Sequence, residues 1–342
     1  MQTALITTTI YVPEILRRYR TLGPDVSFFI AGDRKTPHDK VRALADELGN
    51  AVYLSDEDQE KLAYKSSEII GWNKIMRRDI ALLEAIRSGA DMIVTIDDDN
   101  VPLATDYFEC FERVLGKPYD GVLMSAKEGW VNAGAFLQPP VYHRGFPYEY
   151  RHMDLGVRVS GATGAKVGVA AGLWLGDPDI DAMERLTNRP LVTDVARVAS
   201  DGFVVDPQNY APFNSQNTAY LAELAPLMMV LVGVGRYDDI FASYLAERVM
   251  RESGHHLFFG PPLVYQERNE QNLWKNLRDE IFGMESTLEF IRDLDDAEVS
   301  GKDVIEDLEA IYRQLEKATY LPPVVVELGR AWCADVRRAR GG

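Results

Sequence analysis

Three consecutive carboxylates, Asp97, Asp98 and Asp99, close a run of apolar and largely β-branched residues, Met92 to Ile96. The run predicts a buried strand, and no hydrophobic core holds unpaired carboxylates at its end. Alternate residues of an extended segment point the same way. Asp97 and Asp99 can therefore converge on one point, as oxygen ligands do around a hard divalent cation. An acidic loop or a helix N-cap is the plainer alternative. Position favours the site, because the carboxyl end of a hydrophobic strand is where open α/β sheets bind ligands.

Other residues could share that chemistry. Asp238 and Asp239 follow an apolar stretch, Leu224 to Val234, and precede a helix expected from Phe241 to Arg251, where they serve either a site or a helix cap. Arg77 and Arg78 lie on an amphipathic helix predicted over 73–87, suited to a diphosphate or simply solvated. A Gly/Pro/aromatic stretch from Trp130 to Arg151 holds Arg144 and Arg151, which suit phosphate pairing and stacking on a base or sugar. Asp33 ends the second predicted strand, where an acid meets a ribose or base, or caps a turn. Gly161 to Gly164 lacks the residues of a phosphate loop and reads as a turn. His255 and His256 are adjacent, so they point to opposite sides of an extended chain and do not share a metal.

The elements that must position these residues alternate. Strands are expected at Ala4 to Ile10, Val26 to Ala31, Ala51 to Leu54 and Met92 to Ile96, with helices between them, which implies a parallel sheet. Further strands follow at Gly121 to Ser125, Val167 to Ala171 and Leu257 to Tyr265. Beyond Gly283 the pattern is helical and charged, without a chemical cluster, and suits packing or assembly.

Composition narrows the partners. A formal net charge of −16 over 342 residues argues against nucleic acid and anionic membranes. A phosphorylated small molecule stays compatible, given a local site and a cation. Cys110 and Cys333 give neither a disulfide framework nor a Cys metal site, the amino terminus lacks signal-peptide features, and no apolar run is long enough to span a bilayer. These features predict a cytoplasmic protein without membrane insertion.

Four motifs together resemble the reversibly glycosylated polypeptide family, the UDP-arabinopyranose mutases of glycosyltransferase family 75. They are Ile96-Asp97-Asp98-Asp99, Arg144-Gly145-Phe146-Pro147 through Arg151, Gly172-Leu173-Trp174-Leu175 with Pro178-Asp179-Ile180-Asp181-Ala182, and Gly235-Arg236-Tyr237-Asp238-Asp239. They occur in the family's order across Leu5 to Gly283. Tyr53 to Arg78 is more similar to a related group of membrane-anchored glycosyltransferases.

The resemblance implies an α/β, GT-A-like nucleotide-sugar-binding fold, with a mostly parallel sheet flanked by helices. A catalytic domain over 1–282 would carry a helical extension over 283–342. It implies Mn²⁺ or Mg²⁺ held by Asp97 and Asp99, and a UDP-sugar donor. Asp98 would lie on the ribose or the metal, and Asp33, Arg77, Arg78, Trp174 and Arg236 would face the nucleotide sugar. Gln266 stands where the family has a His that would be a third metal ligand, and an amide oxygen can also bind a hard cation. Arg144 matches the reversibly glycosylated arginine and Arg151 its partner, with Asp238 or Asp239 assisting because guanidinium is a poor nucleophile. The first expectation is a UDP-sugar pyranose/furanose mutase. The alternatives are transfer to an external acceptor and a non-catalytic nucleotide-sugar-binding scaffold, with a homo-oligomer possible.

Overall fold

The computed structural model describes residues 1–268 and 271–341. Twelve strands are assigned among them: β1 (Thr3–Thr9), β2 (Ser27–Gly32), β3 (Ala51–Leu54), β4 (Met92–Ile96), β5 (Asn100–Pro102), β6 (Pro118–Ala126), β7 (Leu137–Gln138), β8 (Val157–Gly176), β9 (Asp194–Val195), β10 (Phe203–Val205), β11 (Asn217–Leu221) and β12 (His256–Gln266). Ten form one sheet in the order β3-β2-β1-β4-β11-β8-β6-β10-β12-β5, and β7 pairs with β9 separately.

The first four strands of that order are parallel throughout, with Thr9 beside Gly32 and Ile6 beside Thr95. β1 is flanked by β2 on one side and by the much later β4 on the other, so the chain reverses its direction of winding here. Such a switch point opens a crevice at the carboxyl ends of the strands. β11 then enters antiparallel to both β4 and β8, while β12 runs parallel to β8. The result is an α/β fold with a large mixed sheet and flanking helices, consistent with the GT-A-like architecture expected.

β4 is buried at every position, as its five apolar or β-branched residues require. Its continuation turns tightly: Asn100 donates its backbone N–H to the Asp97 carbonyl at 3.3 Å, and its side-chain oxygen accepts the Asp97 N–H at 3.1 Å. β5 starts at Asn100 and pairs antiparallel with the end of β12. The acidic triplet is therefore held in a tight connection between two strands.

The helix predicted over 73–87 differs from expectation. It begins as a 3₁₀ turn at Ile75–Arg77 and is α-helical over Arg78–Arg87, with every residue from Arg77 to Ile86 buried. It is packed between β1 and β2 and the carboxyl-terminal helix Pro323–Ala339, so its charged residues before the last, Arg87, have no solvent face. Pairing replaces hydration there: Asp79 accepts the Val230 N–H at 2.9 Å.

The expected boundary between 282 and 283 falls inside the helix Leu273–Asp295. The hydrophobic core continues across it through Phe290, Ile311, Leu328 and Trp332, and the Trp332 indole donates to the Pro226 carbonyl at 2.8 Å. Among the described residues no helix is long and apolar enough to cross a membrane.

Candidate functional site

A cleft of 430 Å³ lies at the carboxyl ends of β1, β2 and β4. Ten of the thirteen site residues expected from sequence line it: Asp33, Arg78, Asp97, Asp98, Asp99, Arg144, Arg236, Asp238, Asp239 and Gln266. The winding reversal beside β1 brings in the acidic triplet, and the amino terminus of the helix Asp238–Ser253 brings in the second acidic pair.

One polar chain joins the two acidic groups. Arg78, buried, donates through Nη2 to Asp97 Oδ1 and through Nη1 to the Ser215 hydroxyl at 2.6 Å. Ser215 in turn donates its backbone N–H to Asp239 Oδ2 at 3.1 Å. Asp239 Oδ1 accepts from Arg144 Nη2 at 3.0 Å, and Arg144 forks onto Asp179 through Nε and Nη2, each at 3.0 Å. Arg144 Nη1 donates to the Arg236 carbonyl. Burial opposes the Arg144 charge, but Asp179 and Asp239 outweigh it and push the guanidinium pKa well above its ordinary value. Asp179 answers in kind: burial pushes its carboxyl up, and Arg144 and Arg268 bring it far below the usual range.

Gly145 makes this placement possible. Its φ of +91° suits glycine, and a Cβ there would stand 2.3 Å from Ile240 Cγ2. The loop thereby lies directly on the helix that carries Asp239, and the Tyr244 hydroxyl donates to the Gly145 carbonyl at 2.5 Å.

Charge in the cleft is unbalanced: seven carboxylates face five basic side chains, Lys74, Arg78, Arg144, Arg236 and Arg268. Asp98 accepts from the Thr9 hydroxyl at 2.5 Å, and burial, with Asp97 nearby, raises its pKa. Asp99 is raised likewise by burial and by Asp97, and its Oδ1 is buried without a hydrogen-bond partner. A buried carboxylate oxygen left so is costly unless a cation meets it. The chemistry of Asp97 and Asp99 thus fits a hard divalent ion. Gln266 meets this group differently from expectation. Its Oε1 accepts from Asn100 Nδ2, so its oxygen is already engaged. Among the described residues no three His, Cys, Asp or Glu side chains converge as a metal cluster.

Asp238 carries no salt bridge among the described residues, and its carboxyl receives the Asp239 N–H at 2.9 Å. Burial and the adjacent Asp239 charge push its pKa up to about 7. Arg236 Nε donates to Glu280 at 3.0 Å, leaving about a third of its side chain exposed at the cleft. Asp33 lines the cleft, but its oxygens accept the backbone N–H groups of Arg34, Asn73 and Lys74 at 2.6, 2.9 and 2.9 Å. It thereby shapes the loop that carries Lys74.

Three expected residues do not line the cleft. Arg77 is folded inward: Gln59, Ser67 and the Gly71 carbonyl take its donors, Trp72 covers its guanidinium at 4.0 Å, and burial lowers its pKa to about 10. It is tied too tightly to reach a diphosphate. Arg151 is buried on Asp181 at 2.6 Å, with Tyr148 against it at 3.8 Å, so it braces the aromatic loop on the helix Ala182–Thr187. Trp174 is buried against the His143 ring, 5.4 Å between centroids.

Sequence reasoning missed Tyr11, Lys74, Ser215 and Arg268 in the cleft, and gave Asp179 no role of its own. Asp179 had a visible signal, an acidic turn after an apolar strand. Ser215 and Arg268 had none, because only the packing of distant segments makes them neighbours.

No family model matches the chain. It is similar to two probable glycosyltransferases of Arabidopsis thaliana: STELLO2, 24% identical over 238 residues, and STELLO1, 24% identical over 254 residues. These matches cover 64% and 69% of this chain and 30% and 31% of those proteins. UDP-arabinopyranose mutase 3 of the same plant is 28% identical over 158 residues, 44% of this chain and 40% of that protein. The chain thus spans less than half the length of each of these curated relatives, and what it shares with them is a likeness to glycosyltransferase-type and UDP-sugar proteins.

Proposed function

We propose that the cleft binds a nucleotide sugar, a UDP-sugar by analogy with the mutase and the resemblance above, and transfers the sugar to an external acceptor. The observation that carries this is the buried, unpartnered Asp99 oxygen in a cleft that also presents Lys74, Arg78 and Arg268. A divalent cation offsets the excess of carboxylates, and the basic side chains then meet the diphosphate that the cation would carry. Asp97 and Asp99 would hold the cation, which when bound stabilises the charge that develops on the leaving diphosphate.

The chain's own residues supply the rest. Lys74, exposed on the loop fixed by Asp33, and Arg268 flank the diphosphate, while Tyr11 offers an exposed ring at the cleft rim for the base. Asp238, with its pKa near neutrality, takes the proton of the acceptor hydroxyl. The acceptor oxygen bonds to the anomeric carbon as the bond from that carbon to the phosphate oxygen breaks, and the diphosphate leaves with the electron pair.

A second reading is the pyranose/furanose mutase. It is favoured by Arg144 lining the cleft near Asp238 and by the similarity to UDP-arabinopyranose mutase 3. Against it stands the engagement of all three Arg144 guanidinium nitrogens by two carboxylates and a carbonyl, which holds it charged and non-nucleophilic. Incubation of the protein with Mn²⁺ and a panel of UDP-sugars, followed by nucleotide chromatography and intact mass, separates the readings. Release of UDP from one donor without a protein adduct supports transfer. A ring-contracted UDP-sugar with a sugar adduct at Arg144 establishes the mutase, and neither UDP release nor isomer from any donor sinks both.

A further inference from the structure

The helix Leu273–Asp295 contributes none of the described residues that line the cleft, yet it packs against the 3₁₀ turn Gly235–Tyr237 that leads into Asp238 and Asp239. The approach is close: a Cβ on Gly235, whose φ is +63°, would stand 1.9 Å from the Asp279 carbonyl oxygen. Glu280 follows on the same helix and is buried. Its Oε2 accepts the Ala182 N–H at 2.6 Å, which ties it to the start of the helix Ala182–Thr187, and its Oε1 accepts from Arg236 Nε at 3.0 Å. The two terminal nitrogens of Arg236 hold no hydrogen bond among the described residues, and the side chain lines the cleft together with Asp238.

An arginine with a third of its side chain in solvent samples many rotamers, and a fixed partner for Nε removes much of that freedom. Asp238 needs such a neighbour. Burial and the Asp239 charge oppose its ionisation, while Arg144 from the aromatic loop and Arg236 from the turn favour it. Asp79 faces it from the helix Arg78–Arg87, but burial pushes the Asp79 carboxyl well above the ordinary range and so diminishes its charge. Arg144 is already committed to Asp179 and Asp239, which leaves Arg236 as the nearby cation with donors to spare. A cation placed beside a buried carboxyl acts more strongly than it would in water, so where Arg236 is held matters to the acid it faces.

We propose that Glu280 is a positioning residue: it holds the Arg236 guanidinium near Asp238 and thereby sets the pH above which Asp238 can take the proton of the acceptor hydroxyl. The inference rests on the transfer reading above, in which Asp238 is the base. It gives the helix Leu273–Asp295 a part in the chemistry, although that helix does not itself reach the cleft.

The test follows the carboxyl carbon of Asp238 by NMR in the full chain labelled with ¹³C-aspartate, assigned by its absence in Asp238→Asn, across about pH 5 to 9 without metal. Arg236→Gln is expected to raise the titration midpoint by about half to one pH unit, because a cation is lost. Glu280→Ala should raise it by a similar amount as Arg236 is released into solvent, and should add nothing further in the Arg236→Gln background. Glu280→Gln, whose amide oxygen still accepts from Nε, should not raise it. The sign separates positioning from charge, since deleting the Glu280 charge alone lowers the midpoint. A midpoint unmoved by Arg236→Gln, or lowered by Glu280→Ala, overturns the role of Glu280; where Glu280→Ala fails to fold, Arg236→Gln decides alone. Calorimetric titration of the unaltered chain with UDP plus Mn²⁺ checks the donor reading separately. No binding there removes the transfer that the base would serve, and the role of Glu280 with it, whereas a failed carboxyl shift leaves the donor site standing.

Discussion

Arg144 and Asp179 meet as a two-point fork inside the protein, Nε on Oδ1 and Nη2 on Oδ2, each at 3.0 Å. Asn214 completes the carboxylate at 2.7 Å, and Asp239 takes a further Arg144 donor. Lysine cannot reproduce this geometry, because its ammonium is a single point with three donors. Arg144→Lys is expected to lower unfolding stability by about 3–5 kcal/mol, read as a lower urea midpoint at unchanged slope. An unchanged midpoint would show that the fork contributes little to the fold.

Asp99 and Asp97 should respond differently to loss of charge. Asp99→Asn removes a buried charge that lacks a partner for Oδ1, so the variant is expected to melt no lower than the unaltered protein without metal. Mn²⁺ at about 100 times its dissociation constant should stabilise the unaltered protein by about 2.7 kcal/mol and Asp99→Asn hardly at all. Asp97→Asn strands the buried Arg78 and should melt lower even without metal. Thermal scans with and without Mn²⁺ check all three; equal Mn²⁺ stabilisation of Asp99→Asn and the unaltered protein removes the metal assignment.

Much of this site was legible because it is local. The acidic triplet and the Asp238 pair each border a periodic element, the Arg144 loop stands out by its Gly/Pro/aromatic composition, and the parallel winding of β1, β2 and β4 carries the triplet to the crevice. What escaped depended on which way a side chain turns. Arg77 and Arg78 are adjacent and alike in sequence, yet Arg77 turns into Gln59 and Ser67 and Arg78 into Asp97 and Ser215. That choice follows from the 3₁₀ start of their helix and its burial beneath Pro323–Ala339, a segment about 250 residues away. The helical pattern beyond Gly283 showed its helices but not that they cover the core.

Glu247 offers a pH signature away from the cleft. It is buried in the helix Asp238–Ser253, accepts the Ala211 N–H at 2.7 Å through Oε2, and leaves Oε1 without a partner. Burial raises its pKa well above the ordinary glutamate value. The folded state therefore holds a proton that the unfolded state releases, so stability falls as pH rises from the unfolded glutamate pKa toward the folded one. Glu247→Gln keeps the acceptor and removes the titration. Its melting temperature is expected to match the unaltered protein near pH 4.5 and to exceed it increasingly toward pH 8; a gap that does not widen with pH refutes the buried proton.

Asp335 reaches from the carboxyl-terminal helix to the start of the helix Lys65–Ile70, accepting the Ser66 N–H at 2.7 Å, the Ser66 hydroxyl at 2.7 Å and the Lys65 N–H at 3.2 Å. It acts as a cap supplied from a distance, since Tyr64 at the cap position gives no side-chain bond. The capped helix leads through Gly71 to Asn73 and Lys74, whose backbone N–H groups end on Asp33 at the cleft. Asp335→Ala is expected to cost about 1–2 kcal/mol of stability and to loosen the loop that presents Lys74. With donor hydrolysis as the readout, KM for the UDP-sugar should rise several-fold more than kcat falls, because the loop serves binding and the acids serve the chemistry. Asp335→Asn, which retains one acceptor oxygen, should recover most of the KM. Equal loss in both parameters, or no recovery with Asn, would mean that the carboxyl-terminal helix supports the fold as a whole and not this loop.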